Sequence, residues 1–345
     1  SSILASVCTQ NSNEKILSFT VAFEGYSADE SHDVLKNANY LNLDFNIIKF
    51  NPEEVLAYMD KMFDYFDEPF SDTASLPLLA MSKQYKKLAT VSITGDGGDE
   101  LFLGYNQYKY LLFLDIIYFF PLAFRKIFSK ILKSFSLFRS IRLKRICSII
   151  EQKNRTDCSL IFFTNFTIND DIYDFLKKRN IYDKLKEIPS IINKFSFLHS
   201  VVWLPGNNNV KLDRSSMAFG LELRSPFLDY RLHEYFSTLP LSSFFPLGSK
   251  KILKKLYSEE LNKLNIPKGK KGFSPPIFEY AINGNKNNFI DNLKKIDYKK
   301  IPGVNIKKLN HELDLFNEKL FDNVDFHFIW RNYCYFNWYL KNFKK

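Results

Sequence analysis

Three short runs rich in β-branched and aromatic residues, Lys15–Phe23, Phe45–Phe50 and Leu88–Gly95, alternate with segments whose apolar residues recur every three or four positions. This alternation constrains the fold most strongly, because buried strands separated by amphipathic helices pair in parallel through crossover connections. Between the first two runs, Ser27 and Glu30 form a capping box ahead of a helical stripe of Val34, Leu35, Ala38 and Leu41. Asn51 and Pro52 open a second helix, with Val55, Met59, Met62, Phe63 and Phe66 on one face. The expectation is an α/β fold built on a doubly wound parallel sheet, whose ligands sit at the carboxyl ends of the strands. From about Gln107 onward the pattern is helical apart from loops near Pro205–Asn209, Pro267–Pro276 and Pro302–Gly303, which implies a large, mostly helical second lobe. The chain divides on this reading into an α/β core at 1–106, a basic helical arm at 107–200 and a helical lobe at 201–345.

Charge is concentrated in that arm. The 345 residues carry 48 Lys and Arg against 38 Asp and Glu, a net +10, and the stretch from Lys109 to Arg155 alone holds eleven basic and two acidic residues. The remainder is almost neutral, so a positive field over the whole molecule is excluded and no nucleic-acid partner is expected. Any contact with an anionic surface belongs to 109–155. The longest apolar run there, Tyr110–Phe124, contains Asp115 and Pro121 and falls short of the ~20 residues needed to span a bilayer. Four dispersed cysteines, Cys8, Cys147, Cys158 and Cys334, show no zinc-binding spacing and no dense disulfide framework. They read as reduced thiols of a cytoplasmic protein. The start, SSILASVCTQ, has no initiator Met and no secretory signal, as expected of a chain that begins inside a longer gene product.

Three stretches carry candidate chemistry. Of only 12 glycines, four (Gly95, Gly97, Gly98 and Gly104) fall in TGDGGDELFLGY directly after the third strand run, together with Asp96, Asp99 and Glu100. Such a loop lets the backbone turn sharply and approach an anion, and its carboxylates suit a hard cation, an amine or a proton. A tight turn with solvated acids capping a helix fits the same composition. In KLDRSSMAFGLELRSPFLDYRL, Asp213, Arg214, Glu222, Arg224 and Asp229 lie among apolar residues, the pattern of buried charges in a catalytic or a fold-specifying network. The third stretch places Lys250, Lys268 and Lys270 at a helix start and in a loop, as a phosphate clamp or a solvated basic face.

Taken in order, these stretches resemble the synthetase domain of the glutamine-dependent asparagine synthetase family, a branch of the PP-loop ATP pyrophosphatases of adenine nucleotide α-hydrolase-like fold. The family element S-G-(E/D)-G-x-D-E-L-F-x-G-Y appears at Thr94–Tyr105, and D-R-x-S-M-A-x-x-L-E-x-R-x-P-F-L-D at Asp213–Asp229. SFTVAFEG at Ser18–Gly25, DEPFSDTASLP at Asp67–Pro77 and the Lys250-x-Ile-Leu-Lys254 element also stand where the family has its counterparts. The resemblance implies that ATP and Mg²⁺ serve to adenylate a carboxylate, L-aspartate by default, and that ammonia then displaces AMP to leave an amide. Ser1, Ser2, Val21, Thr94, Gly95 and Lys270 would bind nucleotide. Asp96 would assist adenylation or ammonia attack, Asp99 would hold the substrate amine or Mg²⁺, and Lys250 would follow the phosphate charge, oriented by Asp213, Arg214 and Arg224.

The departures carry their own expectations. The family's S-G-G-x-D-S-S loop is represented here only by Ser1-Ser2, without the strand before it. The glutaminase domain that would supply ammonia is absent from this chain, and Cys8 stands in the wrong place to replace its nucleophile. Thr94 replaces Ser, Leu103 a Gly and Gln107 a frequent Arg. Two alternatives follow: an amidotransferase of the same family acting on a sugar acid of surface polysaccharide, or a truncated, non-catalytic homologue.

Overall fold

The computed structural model describes residues 1–23, 31–51, 54, 56–134, 141–164, 170–264, 277–282 and 289–343. The chain runs through helix α1 (Ser2–Gln10), strand β1 (Leu17–Phe23), helix α2 (Ser31–Tyr40), strand β2 (Asp44–Phe50), helix α3 (Ser75–Tyr85) and strand β3 (Val91–Ile93). Next come α4 (Gly98–Leu101), α5 (Gln107–Ile117), α6 (Leu122–Ser134), α7 (Ile141–Ile150), α8 (Arg155–Thr164) and, after helices at Asp170–Lys178 and Ile181–Glu187, α9 (Ile191–Leu198). A π-helix, His199–Asn208, leads into α10 (Asn209–Met217), strand β4 (Glu222–Arg224), α11 (Tyr230–Ser237) and α12 (Lys251–Leu256). Further helices, among them Ile306–Asn317, precede the long terminal helix α13 (Phe326–Phe343). The chain forms two compact units: Ser1–Gly95 with Asn207–Ser225 and Glu259–Lys345, and Asp96–Gly206 with Pro226–Ser258.

In the first unit β1 pairs in parallel with β2, in register from Leu17 opposite Asp44 to Phe23 opposite Phe50. Helix α2 is the crossover, as a parallel pair requires. β3 pairs in parallel with β4, Val91 opposite Glu222 and Ile93 opposite Arg224. Among the described residues these are two separate two-stranded sheets. The strands are not deeply buried as expected: Ile93 is 52% exposed and Val91 is exposed beside it. A two-stranded ladder leaves each strand with an uncovered edge, and a three-residue strand has little face to cover.

The core of this unit is aromatic. α13 sends Ile329, Trp330, Tyr333, Cys334 and Phe336 inward, a helical stripe that meets Met59, Met62, Phe63, Phe66 and Leu79. The polar atoms that enter are satisfied, with Trp330 Nε1 donating to Ser71 O at 2.7 Å and Tyr333 Oη to Asp60 Oδ1 at 2.8 Å. Glu54 and Leu56 are helical where the second helix is expected to open, but the chain turns from 57 to 60, so the expected face through Phe66 is not one helix. Asn51 Oδ1 accepts from Glu54 N at 2.8 Å and Glu54 Oε2 from Asn51 N at 3.1 Å, a reciprocal cap. The turn from 57 to 60 gives way to a 3₁₀ turn at Lys61–Asp64. The expected cap at Ser27 and Glu30, Pro52 and Val55, and the loop at Pro267–Pro276 lie outside the described residues.

The second unit is helical around Leu103, Tyr108, Leu111, Leu114, Ile150 and Phe195. Asp115, one of the two acids in the basic stretch, sits at the N-terminus of α9. There it accepts from Ile191 N at 2.9 Å and from Ser190 Oγ at 2.8 Å, and it pairs with Arg155 at 3.4 Å. Arg125 is 5% exposed; its guanidinium lies 3.9 Å from the Tyr118 ring centroid and donates to the carbonyls of Ile150 and Gln152 at 2.8 Å each. The expected loop at Pro205–Asn209 is a correction: Pro205 and Gly206 lie inside the π-helix. All four cysteines are free of disulfides, and Cys147, Cys158 and Cys334 are buried. Burial raises the Cys158 thiol to about 12. Among the described residues no helix is long and apolar enough to cross a membrane.

Candidate active site

The loop after β3 begins in the first unit. Thr94 N donates to Arg224 O at 2.9 Å, continuing the β3–β4 ladder, and Thr94 Oγ1 shares a 2.6 Å hydrogen bond with Ser225 Oγ. The two family elements are thus held side by side at the ends of their strands. The start of α1 is packed against the same place: a Cβ on Gly95 would lie 2.8 Å from Ser1 N. That distance excludes a side chain there. It leaves backbone N–H groups and a helix N-terminus beside the strand end, an arrangement that favours anions. Val21, half-buried in the middle of β1, is opposite Ile48.

The rest of the loop belongs to the second unit and depends on three glycines. Gly97 has φ +82°, and a Cβ there would meet Leu228 Cδ2 at 2.4 Å; one on Gly98 would meet the Phe227 ring at 3.1 Å. Gly104 is more constrained by its surroundings, since a Cβ would fall 2.3 Å from Asp99 Oδ1 and 2.5 Å from Lys250 Cε. Asp99 and Lys250, 151 residues apart in sequence, form a 3.0 Å ion pair against that bare backbone, and Gly248 N donates to Leu103 O at 2.9 Å beside them. Lys250 occupies the left-handed region, φ +51°, at the start of α12. Asp96 is half-buried in the same loop.

Behind the ion pair Glu100, one of the loop carboxylates expected from sequence, belongs to a polar cluster whose other members, Tyr105, Tyr108 and His199, the sequence did not single out. Glu100 is buried and accepts from Tyr105 Oη, while Tyr108 Oη and His199 Nδ1 share a 3.0 Å hydrogen bond. Burial, reinforced by the negative charge of Glu100, holds both phenols above their usual pKa, so they remain donors. Glu100 and Tyr105 lie within the Thr94–Tyr105 element; His199 had no local signal beyond its place ahead of a Pro-Gly-Asn run. π-helical segments often accompany functional sites.

The charges of the Asp213–Asp229 element are not a buried network, which corrects the sequence expectation. Asp213, Arg214, Glu222 and Arg224 are exposed and Asp229 is half-buried. A short helix followed by a three-residue strand turns these positions outward while Leu212, Ser215, Ser216 and Leu221 face in. Arg214 pairs with Asp67, and Lys211 with Asp72 at 2.9 Å. The DEPFSDTASLP stretch is thereby joined to α10, a pairing that sequence did not reveal. Arg224 pairs with Glu222 at 2.8 Å. Asp229 caps α11, accepting from Arg231 N at 2.9 Å, and the Arg231 side chain holds its carboxyl at about 2. Lys270 lies outside the described residues. Among the described residues no group of three or more His, Cys, Asp or Glu is arranged to hold a metal ion.

The sequence profile of the asparagine synthase family matches residues 1–323, and the chain belongs to that family. It is 28% identical over 299 residues to asparagine synthetase (glutamine-hydrolyzing) 1 of Bacillus subtilis, covering 82% of this chain and 46% of that protein. A putative asparagine synthetase (glutamine-hydrolyzing) of Mycobacterium bovis is 25% identical over 236 residues, 66% of this chain and 36% of its own length. Over 93 residues, 26% of this chain and 14% of the relative, it is also 30% identical to amidase chry2 of Gibberella zeae. The chain spans less than half the length of these relatives.

Proposed function

We propose that this chain carries the amide-forming half of an ATP-dependent carbon–nitrogen ligase, adenylating the side-chain carboxylate of L-aspartate and passing ammonia to the acyl-adenylate to give asparagine, AMP and pyrophosphate. The observation that carries the reading is the Asp99–Lys250 ion pair set against the bare backbone of Gly104. Lysine supplies a mobile point charge of the kind that stabilises charge moving from an α-phosphate to pyrophosphate. In the resting pair that charge is held by Asp99; polyphosphate competes for Nζ, and the released carboxylate takes the substrate amine or Mg²⁺. Asp99 would hold Mg²⁺ as a single carboxylate ligand, and the ion would supply neutralisation of phosphate charge. Thr94, Gly95, Ser1, Ser2 and Val21 line the nucleotide in this reading, with Lys270 as a further contact. Asp96 assists adenylation or ammonia attack. Asp213, Arg214 and Arg224 orient the charged groups from exposed positions. Ammonia comes from glutamine through a glutaminase domain outside this chain, and the two parallel strand pairs are parts of one doubly wound layer.

The test incubates the full-length gene product with ATP, Mg²⁺ and ammonia and measures pyrophosphate release as candidate acids are added. L-Aspartate is expected to stimulate release, and Lys250→Met to lower kcat by about 100-fold or more with the fold retained. Release stimulated by a sugar acid and not by aspartate would replace the substrate; no stimulation by any acid would overturn the reaction.

A further inference from the structure

Helix α6 is amphipathic the wrong way round for a helix that only packs on its own core. The positions it buries are Arg125 and Ser129, while Phe124, Ile127, Phe128 and Ile131, spaced at three and four residues, face solvent. α5 buries Tyr108, Leu111 and Leu114 and turns Phe113 outward, and the corner between the helices exposes Phe119. Phe119 is 80% and Phe124 64% exposed. Nine of the 25 exposed large apolar side chains among the described residues fall in the 22 residues from Tyr110 to Ile131, far denser than the scatter normal for a surface. Arg125, which ties the buried side of α6 to the carbonyls of Ile150 and Gln152, fixes the helix with this stripe outward.

We propose that α5 and α6 form a docking face for an anionic lipid bilayer, with α6 lying in the plane of the headgroups and its Phe and Ile stripe entering the acyl boundary. Charge selects this occupant. Lys126 and Lys130 are exposed on the same helix, and Arg139, Arg142, Lys144 and Arg145 follow directly in sequence. Basic residues beside an aromatic and aliphatic face are the composition of an interfacial helix. A second copy would bring one +9 stretch against another and be repelled. Nucleic acid would satisfy the lysines and could stack on Phe124 or Phe128, but it would leave the aliphatic Ile127 and Ile131 of the same stripe without an apolar partner.

Co-sedimentation of the full-length protein with vesicles decides it. Vesicles of phosphatidylcholine with roughly a quarter phosphatidylserine should bind at least about tenfold better than phosphatidylcholine alone at low salt. The double substitution Phe124→Ser and Phe128→Ser should weaken that binding about tenfold or more. Lys126→Glu with Lys130→Glu should abolish the preference for the anionic lipid. All four positions are exposed, so thermal midpoints near that of the parent protein are expected, and the charge pair stands as an independent test should the Phe variant unfold early. No binding by the parent protein, equal binding by the Phe variant, or conversion of a dimer to a monomer by that variant without vesicle binding would each overturn the proposal. So would displacement from vesicles by RNA that the Phe variant binds equally well.

Discussion

Leu103 stands at φ +49° in the loop that carries the ion pair, a region that suits glycine, and it stands where the family resemblance leads one to expect a glycine. The residue is nonetheless 5% exposed in the core of the second unit. Two terms of opposite sign meet at one position: left-handed strain of about 1–2 kcal/mol, and burial of a leucine. Leu103→Ala keeps the strain and loses the burial, so a destabilisation of about 2–4 kcal/mol is expected. Leu103→Gly removes more side chain but also relieves the strain. It should therefore unfold at a urea midpoint no lower than that of the alanine variant, reversing the usual handicap of glycine. A glycine variant clearly less stable than the alanine variant would show that the strain is not there. At this scale the sequence was informative where chemistry is local. The clustered glycines marked the loop because a Cβ at Gly97 or Gly104 has no room. Asp67 and Asp72 went unnoticed as partners of Arg214 and Lys211, because ion pairs across 147 and 139 residues leave no periodic trace.

Among the elements, α11 shows how a motif residue can be structural. Asp229 ends a family element, yet its carboxylate caps a helix and grips Arg231. Asp229→Ala should cost about 1 kcal/mol of stability by thermal unfolding, while kcat for pyrophosphate release stays within about twofold of the parent. A large fall in kcat with stability intact would give Asp229 a chemical role instead. Long elements with strong periods were legible, as for β1, β2, α2 and the cap at Asn51. The weak ones were not. β4 has three residues, too few for alternation to register, and only its ladder to β3 distinguishes Glu222–Arg224 from the helical sequence around it. β3 itself is shorter than the β-rich run Leu88–Gly95. The π-helix was hidden behind Pro205 and Gly206, which normally end a helix.

Across the whole molecule the clearest pH signal comes from Lys194, buried in α9 with Nζ donating to Leu185 O. Burial, aided by the charge of Arg155, lowers its pKa to about 8 from the usual 10.5. The folded protein then binds fewer protons than the unfolded chain between those values, so stability rises with pH through that window. The buried tyrosines act in the opposite sense, since their raised pKa values add stability that is lost only above pH ~10. Denaturant midpoints should accordingly climb from about pH 8 to 9.5, by an amount on the order of 1 kcal/mol, and Lys194→Met should flatten the climb. A flat profile in the parent protein would mean that the lysine is hydrated in solution.

The order in which the chain visits its two units carries a consequence for how the protein can be divided. The backbone passes from one unit to the other at Gly95, Gly206, Ser225 and Ser258, and the island Asn207–Ser225 delivers both α10 and β4 to the unit begun by the first 95 residues. No single cut in the gene yields either unit whole. An inheritable half would need a rejoined, permuted reading frame, so shuffling of such units between genes is blocked by connectivity before stability is ever tested.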